Sequence, residues 1–113
     1  MEGIGFIMTL TAFKYETSPY KPGYYVITVD HEKFHITGTK GSCHIIEARV
    51  MNLSYAQYLR MCRDLFGAEI IGKNSMYPVA YFKNINMVFK LLKELNLRAG
   101  LILKERENNS QGE

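Results

Sequence analysis

The stretch Cys43-His-Ile-Ile-Glu-Ala-Arg-Val-Met51 alternates along its length, with His44, Ile46, Ala48 and Val50 on one side and Ile45, Glu47 and Arg49 on the other. Alternation of period two places successive side chains on opposite faces of an extended chain, so the stretch reads as a strand. That reading decides the fold. From Cys43 onward the elements then run strand, helix, strand, strand, helix, strand, the split βαβ order of ferredoxin-like folds. The expectation is an α+β fold, β-α-β-β-α-β, with two helices on one face of a four-stranded antiparallel sheet.

The helix after this stretch carries its own start and stop signals. Ser54 and Gln57 form an S-x-x-Q capping box, and Leu53 and Tyr58 are spaced as a hydrophobic staple. Tyr55, Tyr58, Leu59, Cys62, Leu65 and Phe66 recur on one helical stripe, and Gly67 suits the left-handed residue that ends a helix. Residues 68–71 and 76–82 read as two short strands joined by a Gly-Lys-Asn-Ser turn; Pro78, which lacks an N–H, argues for an edge or a bulge there. Asn84 or Asn86 caps a second helix with Val88, Leu91, Leu92 and Leu95 inside and Lys90, Lys93 and Glu94 outside, and Asn96 or Gly100 stops it. Residues 101–106 read as the last strand and residues 107–113 as a disordered polar tail.

Upstream, residues 24–30 are rich in β-branched and aromatic residues after Pro22-Gly23, and residues 34–37 return as a partner strand. This N-terminal β-hairpin, 24–37, is extra to the core at 43–106, and it joins the sheet at an edge, because a solitary hairpin is marginal in water. One domain spanning residues 1–106 accounts for the chain. The 113 residues, 47% hydrophobic and 22% charged, exclude a disordered, collagen-like or repeat protein. Cys43 and Cys62 are too few for a disulfide framework, the apolar start has Glu2 where a signal peptide carries basic residues, and no apolar run approaches the roughly 18 residues of a membrane span. A cytoplasmic protein with no membrane partner is expected, and Met8 is an equally good start.

Chemistry is thinly represented. His31, His35, His44 and Cys43 are metal-ligand types without zinc spacing, so no metal is expected. Cys43 and His44 are neighbours on a strand and point apart, Cys62 falls on an apolar helix stripe, and Glu47 and Glu69 have no identifiable partner. The loop at residues 38–42 has the composition of a phosphate loop without its spacing; Lys40 there is at most a contact for a polyanion. No cofactor motif is present, and the chain reads as a non-enzymatic protein.

The informative signal is where the charge sits. The net charge of +3 is neutral over residues 1–51, whereas residues 52–100 hold seven basic residues, Arg60, Arg63, Lys73, Lys83, Lys90, Lys93 and Arg98, against Asp64, Glu69 and Glu94. Arg60 and Arg63 share the outer face of the first helix and Lys90 and Lys93 that of the second, so Arg60, Arg63, Lys73, Lys83, Lys90 and Lys93 are the candidate partner-binding residues. The bland account of the same residues is the solvation of two amphipathic helices. A second set, Arg49, Tyr77, Tyr81, Lys104 and Arg106, would share the open sheet face and bind RNA or single-stranded DNA by stacking and phosphate contacts. Unpaired strand edges also offer a route to a homodimer.

The stretch Leu53-Ser-Tyr-Ala-Gln-Tyr-Leu-Arg-Met-Cys-Arg-Asp-Leu-Phe-Gly-Ala-Glu-Ile-Ile-Gly-Lys, with Tyr77-Pro-Val-Ala-Tyr-Phe-Lys after it, resembles small proteins of no defined family from phages and mobile elements of gut Firmicutes. The resemblance covers about a quarter of the chain and transfers no site. It implies a setting in which small proteins often inhibit host defence without catalysis, as anti-CRISPR proteins do, or assist nucleic-acid transactions. The leading expectation is a binding module that occludes a larger protein or ribonucleoprotein, such as a phage inhibitor of a nucleic-acid-guided nuclease. Direct nucleic-acid binding and a nucleotide or second-messenger sponge are the alternatives.

Overall fold

A computed structural model describes residues 12–30, 43–72 and 78–111. Its elements are β1 (Phe13–Thr17), β2 (Tyr25–Val29), α1 (Cys43–Val50), α2 (Tyr55–Phe66), β3 (Glu69–Ile71), β4 (Val79–Tyr81) and α3 (Ile85–Gln111). The fold is mixed α+β, but the order is β-β-α-α-β-β-α rather than β-α-β-β-α-β.

Two antiparallel hairpins, β1–β2 and β3–β4, make the sheet layer. In the first, Asp30 N–H donates to Ala12 C=O and Ser18 N–H to Tyr24 C=O, which places residues 12, 14, 16 and 18 in the hydrogen-bonded pairs of the ladder. The backbone groups of Phe13, Tyr15 and Thr17 therefore turn to the outer edge, and those of Tyr25 turn to the other side of β2. There Tyr25 and Phe82 exchange both backbone hydrogen bonds, at 2.7 and 2.9 Å, in an isolated antiparallel bridge. The spatial order is thus β1, β2, β4, β3, with the two hairpins stitched at one residue pair. On the inner face Phe13, Ile27, Ala80 and Phe82 are buried; on the outer face Lys14, Glu16, Glu69 and Ile71 are exposed.

The three helices pack together behind this layer, α3 against β1, β2, α1 and α2, and α1 against α2, α3 and β2. The buried residues form one cluster that includes Phe13, Ile46, Tyr58, Phe82, Val88, Leu91 and Leu95. Two two-stranded antiparallel sheets joined by one bridge thus stand where a four-stranded sheet was expected; β2, β3 and β4 fall in segments read as strands, and β1 does not.

Residues 43–50, read as a strand, form α1. Ile46, Glu47, Ala48 and Val50 are all buried and only Arg49 in that run is exposed, so the segment is enclosed on several sides and displays neither helical nor strand amphipathicity. Residues 101–106, read as the last strand, continue α3, as do residues 107–111 of the expected tail. Val88, Leu91, Leu95, Ala99, Ile102 and Leu103 keep a spacing of three and four across Gly100, and their burial outweighs the roughly 1 kcal/mol that glycine costs inside a helix. The return strand expected at 34–37 lies outside the described residues, and the strand seated beside β2 is Phe13–Thr17.

Elsewhere local signals hold. Ser54 caps α2 with the capping box formed on both sides, and Gly67 adopts φ 69° at its end, its N–H donating to Cys62 C=O. Leu65, expected on the buried stripe, is instead exposed, at the stripe's margin in the last turn. β3 and β4 pair as a hairpin with Glu69 opposite Tyr81, and Pro78 lies just before β4, where a missing N–H removes no rung.

Candidate functional site

The longest element presents the candidate site. α3 has 27 residues, which at 1.5 Å per residue is roughly 40 Å, close to the 45 Å longest dimension of the molecule. Val88, Leu91, Leu95 and Ala99 point into the core with no exposed surface. By the helical repeat, Lys90, Lys93, Leu97, Leu101 and Lys104 lie on the opposite side, with Phe89 at its shoulder. An outward helical face is normally polar. Here Phe89 is 48% exposed, Leu97 40% and Leu101 56%, interleaved with three exposed lysines. None of those lysines pairs with a carboxylate among the described residues. Glu94 sits to one flank and is held at 2.8 Å by Arg98, one turn on.

The apolar character continues onto β1. Tyr15, 42% exposed, meets Phe89 edge to face at 5.6 Å and Tyr25 at 5.8 Å. α3 is capped locally at its start, and one tertiary clasp holds its middle against β1. Asn84 Oδ1 accepts from Asn86 N–H at 2.9 Å at the helix start. Asn96, 7% exposed, uses its amide as a strand would, accepting from Phe13 N–H at 2.8 Å and donating to Phe13 C=O at 3.1 Å. Asn96 was expected to stop the helix; it sits mid-helix and occupies the outward-turned backbone groups of Phe13, at the start of β1.

The structure divides the basic residues expected to bind a partner. Lys90 and Lys93 share the outward face of α3, whereas Arg60 and Arg63 are exposed on α2 and Lys83 is exposed after β4. Arg63 pairs with Asp64 at 2.8 Å, which holds the carboxyl below and the guanidinium above their usual values. Lys73 lies outside the described residues. The proposed nucleic-acid set is not assembled on the sheet: Arg49 is on α1, and Lys104 and Arg106 are on α3, while Tyr77 lies outside the described residues. Tyr81 alone is on the open face, half-buried. Lys104 moves instead into line with Lys90 and Lys93. Sequence reasoning missed Phe89, Leu97, Leu101 and Tyr15; the apolar spacing Leu97, Leu101 outside a completed buried stripe was the available signal.

Around Tyr81 the open sheet face is occupied by its own charges. Glu69, opposite Tyr81, accepts from the Tyr24 hydroxyl and lies 3.7 Å from Lys21 Nζ, which also sits 4.6 Å over the Tyr24 ring. The Tyr24 hydrogen bond, helped by Lys21 and Lys83, holds the Glu69 carboxyl below its ordinary range and raises the phenol. An ionised carboxylate there repels phosphate.

A second polar group lies inside. Glu47, only 3% exposed, accepts from the buried Tyr58 hydroxyl at 2.6 Å, joining α1 to α2, and Cys62 lies beside the same hydroxyl one turn along. Burial first, then the Glu47 charge, pushes the phenol well up. Burial pushes the Cys62 thiol up to about 12, so at neutral pH it is a thiol and no nucleophile. Glu47, read as partnerless on a strand, thus has a partner on the next helix. Among the described residues no three His, Cys, Asp or Glu side chains gather as a metal site requires, and no helix is long and apolar enough to cross a membrane. His31, His35 and Lys40 lie outside the described residues.

Compared with known proteins, the chain matches no family, no curated protein and no solved structure.

Proposed function

We propose that this chain is a non-enzymatic binding module that acts by covering a surface of a larger protein or ribonucleoprotein, with the outward face of α3 as its contact. The observation that carries this reading is the exposure of Phe89, Leu97 and Leu101 between Lys90, Lys93 and Lys104, on the side of α3 turned away from the core. Exposed apolar side chains rimmed by charge are the composition of an interaction site. A catalytic reading has less support, since the thiol of Cys62 is protonated and buried beside a tyrosine and a carboxylate that hold one another.

Direct binding of RNA or single-stranded DNA through the sheet is the weaker alternative, because Tyr81 faces Glu69 and the basic residues expected beside it lie on helices. The phage setting, with a nucleic-acid-guided nuclease as the partner, rests on the resemblance in residues 53–73 and 77–83 alone. The test is affinity capture from the native host, with and without nuclease treatment, comparing the wild type with a Leu97→Glu, Leu101→Glu variant of unchanged thermal stability. A protein that is retained by the wild type after nuclease treatment, and lost by the variant, supports the reading. Equal capture by both chains refutes this face, and capture that vanishes with nuclease points to nucleic acid.

A further inference from the structure

Resting on that reading, we propose that the partner element seated on α3 is an acidic amphipathic helix, its apolar side chains packed among Phe89, Leu97 and Leu101 and its carboxylates against Lys90, Lys93 and Lys104. The geometry is that of a rod. Phe89, Lys93, Leu97 and Leu101 form one row at intervals of four, a ridge of roughly 18 Å, and such a ridge packs into the groove of a second helix with axes about 8–10 Å apart. A helix satisfies its own backbone groups, which matters because α3 offers no free N–H or C=O along its side; an added strand would need an open sheet edge.

Charge selects the sign of the occupant. The face carries three lysines without a partner among the described residues, while Glu94 stands on the flank in its pair with Arg98. A second copy of this chain, packed antiparallel about Leu97, would set Lys90 against Lys104 and bring no unpaired carboxylate to any of the three lysines, Glu94 being held by Arg98. A nucleic-acid backbone would leave Leu97 and Leu101 covered by phosphates, with no apolar group to receive them. An acidic helix with an apolar stripe satisfies both sets at once.

The experiment uses the full chain and three fluorescein-labelled probes: a hydrocarbon-stapled helix of about 18 residues with leucines every fourth residue and glutamates beside them, the same helix with lysines for glutamates, and a single-stranded oligonucleotide of about 20 nucleotides. Anisotropy should show the acidic helix binding, the lysine helix failing, and the acidic complex weakening several-fold between about 50 and about 300 mM salt. Leu97→Glu with Leu101→Glu should weaken it by about tenfold or more, in a chain whose far-ultraviolet spectrum and melting are unchanged. Equal binding of both helices, an acidic-helix affinity indifferent to the two substitutions, or tighter binding of the oligonucleotide overturns the proposal. So does a dimer in sedimentation that the two substitutions dissociate. Loss of host-protein capture in the same variant, with no binding of the acidic helix, would leave the binding-module reading intact and remove only the acidic helix.

Discussion

Replacing Asn96 tests how α3 is fastened to the sheet. Its amide makes two hydrogen bonds to the backbone of Phe13, 83 residues away, and both residues are nearly inaccessible to water. In Asn96→Ala a buried N–H and a buried C=O lose this partner, at about 1–3 kcal/mol each. The better helix propensity of alanine returns about 0.5–0.7 kcal/mol. The expected net destabilisation is about 1.5–5.5 kcal/mol, a fall in Tm of roughly 6–22 °C at this chain length. Asn96→Asp separates the two bonds. An ionised aspartate still accepts from Phe13 N–H but turns a second oxygen toward Phe13 C=O, whereas the protonated acid donates there. The folded-state pKa of that aspartate therefore rises above its unfolded value of about 3.9. Its stability relative to wild type is best below that value and is lost as pH rises through the folded pKa. Urea unfolding followed by circular dichroism, run for wild type, Asn96→Ala and Asn96→Asp from acid to neutral pH, reads this directly. A loss below about 0.5 kcal/mol for Asn96→Ala, or an Asn96→Asp curve parallel to Asn96→Ala at every pH, would refute the clasp.

Tyr58→Phe removes the hydroxyl that donates to buried Glu47, and a loss of about 1.5–3 kcal/mol in the same urea assay is expected; unchanged stability would show that α1 and α2 are not joined through this bond. Because its thiol is buried and pushed up to about 12, Cys62 in a Cys43→Ser background should resist a thiol reagent at pH 8 until the chain unfolds, with labelling at the rate of global opening; fast labelling of the native chain contradicts that environment. Glu69 is held low chiefly by Tyr24, so its favourable contribution is present above the unfolded carboxyl pKa and is lost as pH falls through the lower folded value. In Tyr24→Phe the Glu69 midpoint, followed by NMR of its side-chain carbonyl, should move up toward the ordinary carboxylate range, and an unmoved midpoint would remove Tyr24 as the cause.

Much of the candidate site was legible in pieces. Lys90 and Lys93 were placed on an outward helical face because Val88, Leu91 and Leu95 define the inward one. Lys104 was assigned to a strand, since Gly100 was read as a stop and Leu101-Ile-Leu as an extended apolar run. The three-and-four spacing that carries Ala99, Ile102 and Leu103 onto the same buried stripe was already present. β1 was not read as a strand, the partner of β2 being assigned to residues 34–37, although Phe13, Tyr15 and Thr17 do alternate with Lys14 and Glu16. Residues 43–50 were different. Their alternation is real, yet Glu47 is buried against Tyr58, and a periodicity argument assigns a carboxylate to the wet side.

From its residues alone this chain determines its α+β class, the capped and terminated helix α2, the β3–β4 hairpin, the start of α3 and the basic bias of its middle, because caps, turns and period are properties of neighbours within a few positions. Which strand lies beside β2, that α1 is a helix, that α3 runs on past Gly100, and that Phe89, Leu97 and Leu101 are left in water were decided only in three dimensions. Those outcomes depend on which surfaces meet. Asn96 and Phe13, or Glu47 and Tyr58, acquire their roles only when packing removes water and obliges each polar group to find its partner.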